Sequence, residues 1–342
     1  MTLHFTGNII VSKSHGKICR GRPALPARLK RRPPDGIMRK LSDVLKQTYG
    51  EKVYRLSLSS GCTCPTRDGT LGYGGCTFCS QRGSGDFAAA FMPVADQIEE
   101  AKEKIRKKTG AGRFIAYFQS FTNTYGDVRR LTQLYLETIR REDIVILSLA
   151  TRPDCLDEEV MEMLKQLASV KPVWVELGLQ TIRDDIADSV HRGYPTAVFT
   201  DGYRKLADAG IPVIAHVIFG LPGESKEDMK NTIRYLADLS PELAGIKIQM
   251  LHVIRGTQLA GEYEARPFPL LSLEEYAELV CESMKILPEN VVLHRMTGDA
   301  PGKLLVAPEW TRNKKKVLNT INRAIQQAAT QNFIRENDHA EK

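Results

Sequence analysis

The chain has 342 residues, 42% of them apolar and 26% charged, the balance of an ordinary globular protein rather than a collagenous, mucin-like or wholly disordered one. Its longest apolar run, around Pro212–Pro222, is broken by His216, which excludes a membrane-spanning helix. The formal charge of +7 would suit a nucleic-acid partner, but the whole excess lies in residues 1–37, where eight Lys/Arg face the single acid Asp35, and the rest is neutral.

Residues 1–37 carry four prolines and no apolar periodicity, and are expected to form a disordered basic tail. They lack the apolar stretch of a secretory signal. A floppy tail, an organelle transit peptide and a true start at Met38 are the readings open for this segment. Helical pattern begins at Met38. Val53–Ser59 is a β-rich run, followed by a Gly- and Cys-rich loop from Ser60 to Gly85. Val94, Ile98, Ala101 and Ile105 then recur at helical spacing. Strands follow at Phe114–Phe118, Ile144–Leu149, Val173–Leu179, Pro212–Phe219 and Ile246–Val253, with apolar helical stripes between them. Val291–His294 is a short further strand candidate, and a helix is expected after Pro308 with Trp310 near its entry.

Near-continuous apolar strands alternating with helices predict a parallel sheet covered by helices. Right-handed crossovers would curl it into an α/β six-stranded (β/α)6 partial TIM barrel. We expect a core domain over residues 38–300 and a C-terminal helical extension over 301–342. In such barrels chemistry sits at the C-terminal ends of the strands, and the loop after the first strand holds the cysteines.

There are seven cysteines, four of them within Cys62–Cys79. Without a secretory signal they read as reduced thiols with metal-binding spacing, and the protein as cytoplasmic. Four thiols could close a zinc site, which leaves a zinc-stabilised nucleic-acid-binding module as one reading. Cys62 and Cys64 are separated by one residue, however, an awkward half of a zinc site. A three-thiolate iron–sulfur cluster on Cys64, Cys76 and Cys79 fits better, with one iron left open and Phe78 as a water shield. Cys62 then reads as a small buried hydrophobe, close enough in sequence to substitute for a mutated Cys64. Cys19, Cys155 and Cys281 read as incidental.

The run CPTRDGTLGYGGCTFCS closely resembles the cluster loop of radical S-adenosylmethionine (SAM) enzymes, narrowly the YhcC/YtqA type related to the catalytic subunit of Elongator. The resemblance covers roughly residues 45–320. It implies a [4Fe-4S] cluster on Cys64, Cys76 and Cys79, with S-adenosyl-L-methionine chelating the open iron. Reduction by a flavodoxin or ferredoxin would cleave it to a 5′-deoxyadenosyl radical that abstracts hydrogen from a substrate. The kinship implies tRNA, at the wobble-uridine side chain; a small molecule or peptide is the alternative.

Four further segments support the same reading. Gln119, after the second strand, stands where related enzymes meet the methionine amino group. Glu176 and Gln180, four apart on one strand, share a face and are candidates to contact SAM in the barrel lumen, since a carboxylate on an apolar strand needs a partner. His191-Arg192-Gly193 resembles the family's Arg-Gly turn, so Arg192 is a candidate for the methionine carboxylate. Gly220, in the GLPG segment after the fifth strand, is a candidate for close approach of adenine. Phe121–Tyr125 and Leu293–Asp299 are placed on the substrate side of the mouth. Arg312 and Lys314–Lys316 form a basic run at a helix start, read as a solvated face or a phosphate contact.

Overall fold

The computed structural model describes residues 39–83 and 92–340, so the expectation for the tail and Cys19 lies outside them. The elements run α1 (Leu41–Tyr49), β1 (Tyr54–Leu58), α2 (Val94–Thr109), β2 (Phe114–Phe118), α3 (Val128–Ile139), β3 (Ile144–Thr151), α4 (Glu158–Val170) and β4 (Val173–Gln180). They continue with α5 (Asp184–Ser189), α6 (Thr196–Asp208), β5 (Val213–Phe219), α7 (Lys226–Ala237), β6 (Gly245–Met250) and β7 (Val253–Ile254). The last are α8 (Gln258–Ala265), α9 (Leu273–Ile286), β8 (Val292–Arg295), β9 (Leu305–Ala307) and α10 (Lys314–Ala340).

Local signals set the helix ends. Asp127 and Asp157 accept from the first free N–H groups of α3 and α4, and Ser225 with Asp228, and Ser272 with Glu275, close capping boxes on α7 and α9. Gly50 and Gly110 end α1 and α2 in the left-handed conformation.

The main sheet is parallel throughout, in the order β1-β2-β3-β4-β5-β6-β8. Seven strands, not the expected six, build it. The seventh is β8, at the short strand candidate Val291–His294; parallel pairing with β6 and a bridge from Lys40 to Leu293 hold it. The expected sixth strand also stops early: Leu251 and His252 leave the sheet, and Val253–Ile254 pair with β9 in a separate two-stranded ribbon.

The pleat divides each strand between two surroundings. Leu56, Phe118, Leu149, Val175, Val217 and Ile248 face the helices and join the main core. Ile115, Ile146, Trp174, Ile214 and Val292 point the other way and pack on Leu41, Val44 and Leu45 of α1. The helix therefore closes the N-terminal end of the barrel, and polar residues further along the same strand faces are left to line an interior open toward the C-terminal ends. Along α10, Val317, Ile321 and Ile325 complete the core, and Trp310 Nε1 donates to Leu271 O at 2.9 Å.

Candidate active site

The cysteine loop is moored at several points. Arg67 N and Asp68 N donate to Cys64 O, Gly75 N to Thr66 O, and Cys79 N to Cys76 O. Thr77 ties the loop to two distant elements, donating from its N–H to Val190 O and accepting from Leu259 N, both at 3.0 Å. Arg67 Nη2 donates to Cys79 O at 3.2 Å and Ser80 O at 2.7 Å, bracing the last cysteine. Gly75 is required here: its φ is +81°, and a Cβ would stand 2.6 Å from Arg67 Nε.

Cys64, Cys76 and Cys79 line one cavity of about 710 Å³, together with Phe78, Gln119, Gln180 and the strand residues of the interior. Burial raises the Cys64 thiol, and Cys76 is pushed well up by its hydrogen bond with Cys79 and then by burial. Cys64 and Cys76 are thus held as protonated thiols until a metal displaces their protons. Arg152 lies close enough to Cys64 and Cys76 to favour their anionic forms. Among the described residues no three His, Cys, Asp or Glu side chains converge on a single ion. Ligands of a multi-iron cluster bind separate irons and need no such convergence, so three thiols on one wall beside a buried guanidinium fit a [4Fe-4S] cluster.

Cys62 faces elsewhere. It joins the main core, and Arg130 Nη2 donates to its Sγ at 3.6 Å. The expectation that it stands ready to replace Cys64 is not supported by this placement.

Below the cysteines a layer of polar side chains crosses the interior. Glu176, 1% exposed, accepts from Ser148 Oγ at 2.9 Å, lies 2.9 Å from His216 Nε2 and is bonded by Lys247 Nζ. Lys247 also donates to Tyr117 OH at 3.1 Å and lies over that ring. Arg55 Nη2 sits 3.9 Å from Glu176 Oε1 and 3.2 Å from His294 Nδ1. Burial alone would raise Glu176; Lys247, His216 and Arg55 outweigh it and hold the carboxyl well below its usual range. Sequence reasoning found Glu176 but passed over Lys247, Ser148 and Arg55. The rule applied to Glu176, a charge on an apolar parallel strand, applies equally to Lys247 between Ile246 and Ile248.

Gln119 and Gln180 reach the same cavity, as expected, as do Phe121, Thr122 and the stretch from Leu293 to Thr297. Gln180 follows a register shift against β5 and adopts a positive φ of 63°.

Two residues are placed differently. Arg192 borders the cavity, but its five donors go to Tyr194 O, Leu179 O, Thr181 O, Asp184 Oδ1 and Thr196 Oγ1. It staples the turn after β4 and keeps no N–H for a ligand carboxylate. Gly220 does not line the cavity: its φ of +90° is what calls for glycine, and Leu271 is the neighbour a Cβ would meet.

The imidazoles of the wall make the fold acid-sensitive. Burial lowers His216 and His252 to about 4 and takes His294 well down, with Lys247, Arg295 and Arg55 adding to it respectively. The unfolded chain binds protons near pH 6.5 that the folded chain refuses, so stability falls as pH falls. Unfolding free energies from urea titrations should drop below about pH 6.5 by up to roughly 1.4 kcal/mol per pH unit for each histidine, and stay flat from about pH 7 to 8.

Comparison with known proteins agrees with this arrangement. The model of the radical SAM superfamily matches residues 66–236, and that of the Radical_SAM C-terminal domain matches 243–327. YtqA of Bacillus subtilis, an uncharacterized protein, is 40% identical over 283 residues, covering 82% of this chain and 87% of its own. A tRNA uridine(34) acetyltransferase of Methanocaldococcus jannaschii is 31% identical over 166 residues, 47% of this chain and only 30% of its own. In fold, the Methanocaldococcus infernus Elp3 structure lacking its N-terminus superposes with a TM-score of 0.58 at 21% identity, over 66% of this chain and 58% of that one. With the cysteine loop at the C-terminal end of a parallel partial barrel, and with these matches, the chain belongs to the radical SAM superfamily.

Proposed function

We propose that this protein is a radical SAM enzyme that modifies the 5-position side chain of the wobble uridine in tRNA. One observation carries the reading: Cys64, Cys76 and Cys79 open onto the same cavity as a buried charged layer. Those three thiols would hold a [4Fe-4S] cluster, and Gln119 and Gln180 stand where they can bond a SAM molecule beside it. When bound and reduced by a flavodoxin or ferredoxin, the cluster supplies the electron that cleaves SAM to methionine and a 5′-deoxyadenosyl radical.

The chain's own residues bind, orient and exclude water. Phe78 packs toward the apolar cluster of Val190, Leu221, Leu251 and Leu259, and so covers the cysteine wall from one side. Helix α1 closes the opposite end, so a substrate enters past the loops. A radical in such a site meets little solvent and a fixed geometry. For the tRNA target the support is the name of the archaeal relative, a uridine(34) acetyltransferase, over the shared part of the chain.

The decisive experiment is nucleoside mass spectrometry of tRNA from a strain lacking the gene. We expect an altered 5-substituent on wobble uridine. Unchanged wobble uridines would exclude this target and favour a small molecule or peptide.

A further inference from the structure

The charged layer contains a proton acceptor that neither cluster nor SAM binding uses. Glu176, Lys247 and His216 all border the cavity; the first two side chains are 0% and 1% exposed, whereas His216 retains 17%. Its Nε2 lies 2.9 Å from Glu176 Oε2. An ionised carboxylate only accepts, so Nε2 carries the proton and the ring's lone pair lies on Nδ1. An imidazole oriented by a carboxylate, with its second nitrogen unprotonated, has the form of a general base.

The charged and titratable groups acting on this ring come from several strands: Glu176 from β4 bonds it, and Lys247 from β6, Arg55 from β1 and His294 from β8 lie near it. Two cations against one carboxylate oppose a further positive charge. Together with burial they hold His216 down to about 4, so the ring is neutral at any physiological pH.

We propose that His216 is the general base of the substrate reaction, its Nδ1 taking a proton from a hydroxyl or ammonium attached to the carbon that loses a hydrogen atom. The inference rests on the radical SAM reading above. In this step the substrate O–H or N–H bond breaks, its electron pair stays on the heteroatom, and a new N–H bond forms at Nδ1. No electron moves and no co-reactant is consumed.

The test uses the full chain, reconstituted anaerobically, with tRNA from a strain lacking the gene as probe. In His216→Gln the ratio of 5′-deoxyadenosine released to nucleoside altered should rise about tenfold or more, because radical formation is separated from the proton step. A purely structural role would lower both products together; that result, or an unchanged ratio, overturns the proposal. Lys247→Gln removes a cation and leaves Glu176 beside the ring, so the imidazole gains its proton more readily. Burial and Arg55 still hold the ring down, so the acidic limb of turnover should move to a higher pH than in the parent without reaching that of a free imidazole.

Nitrogen-15 NMR of histidine-labelled protein supplies a readout independent of substrate. The neutral ring with its proton on Nε2 should persist from about pH 8 to about pH 5, and a proton on Nδ1 or charging above about pH 6 overturns the proposal. If the parent releases 5′-deoxyadenosine but leaves tRNA unaltered, the tRNA target falls and the tautomer decides this inference. If it releases none, the cofactor reading itself falls, and the base with it.

Discussion

Alanine at any one of Cys64, Cys76 or Cys79 should abolish 5′-deoxyadenosine release from SAM, a fall of roughly 10³-fold or more, and empty the protein of iron and sulfide. The three thiols act as one unit on one wall of the cavity. The triple variant should therefore be no worse than any single one, since ligands of a common cluster are not additive. Cys62→Ala is the matched control. Its sulfur lies in the main core beside Arg130, so iron content should match the parent and only a small packing loss should appear. Iron and acid-labile sulfide assays with chromatography of the nucleoside product read all five proteins. A Cys64→Ala protein that keeps its iron would show that another thiol completes the site, and the ligand assignment would be wrong.

The sequence made the strands legible because a parallel sheet buried on both faces needs near-continuous apolar runs, and β2 reads FIAYF and β4 VWVELGLQ. The cysteine loop was legible because spacing survives without any knowledge of the fold. What escaped depends on contacts distant in sequence. Helix α5 has six residues, and β7 and β9 have two and three, each too short for a period to emerge; β7 and β9 are held by pairing with each other. Arg192 shows the same limit at a side chain. An arginine in a turn looks available from sequence, yet this one closes five bonds to its own chain because Leu179, Thr181, Asp184, Tyr194 and Thr196 surround it. Lys247 lies inside the strand expected at Ile246–Val253, but its neighbours in sequence do not show what it pairs with. Only the register that carries β6 beside β5 brings it into the layer with Glu176.

That pairing leads to the second large effect. Glu176→Ala should cost about 3–5 kcal/mol of folding stability at pH 7, because it strips the partner from a buried ammonium. Burial lowers the Lys247 pKa, an effect the adjoining carboxylate opposes, so without Glu176 the amine folds neutral. The unfolded chain then binds a proton that the folded chain does not. Stability of the variant must therefore rise with pH, by about 1.4 kcal/mol per unit from roughly pH 7 to 10, the ordinary range below a lysine's own pKa. In the parent Lys247 is also held below the usual lysine range, but Glu176 opposes that shift, so its rise should start at a higher pH and be smaller. Glu176→Gln/Lys247→Met, which removes both charges and keeps an acceptor for Ser148, should recover most of the loss and lose the slope. Urea unfolding of the three proteins across that range separates the outcomes. A Glu176→Ala deficit independent of pH would mean that Lys247 keeps its proton by finding another partner or water, and the interior would then be wetter than its burial indicates.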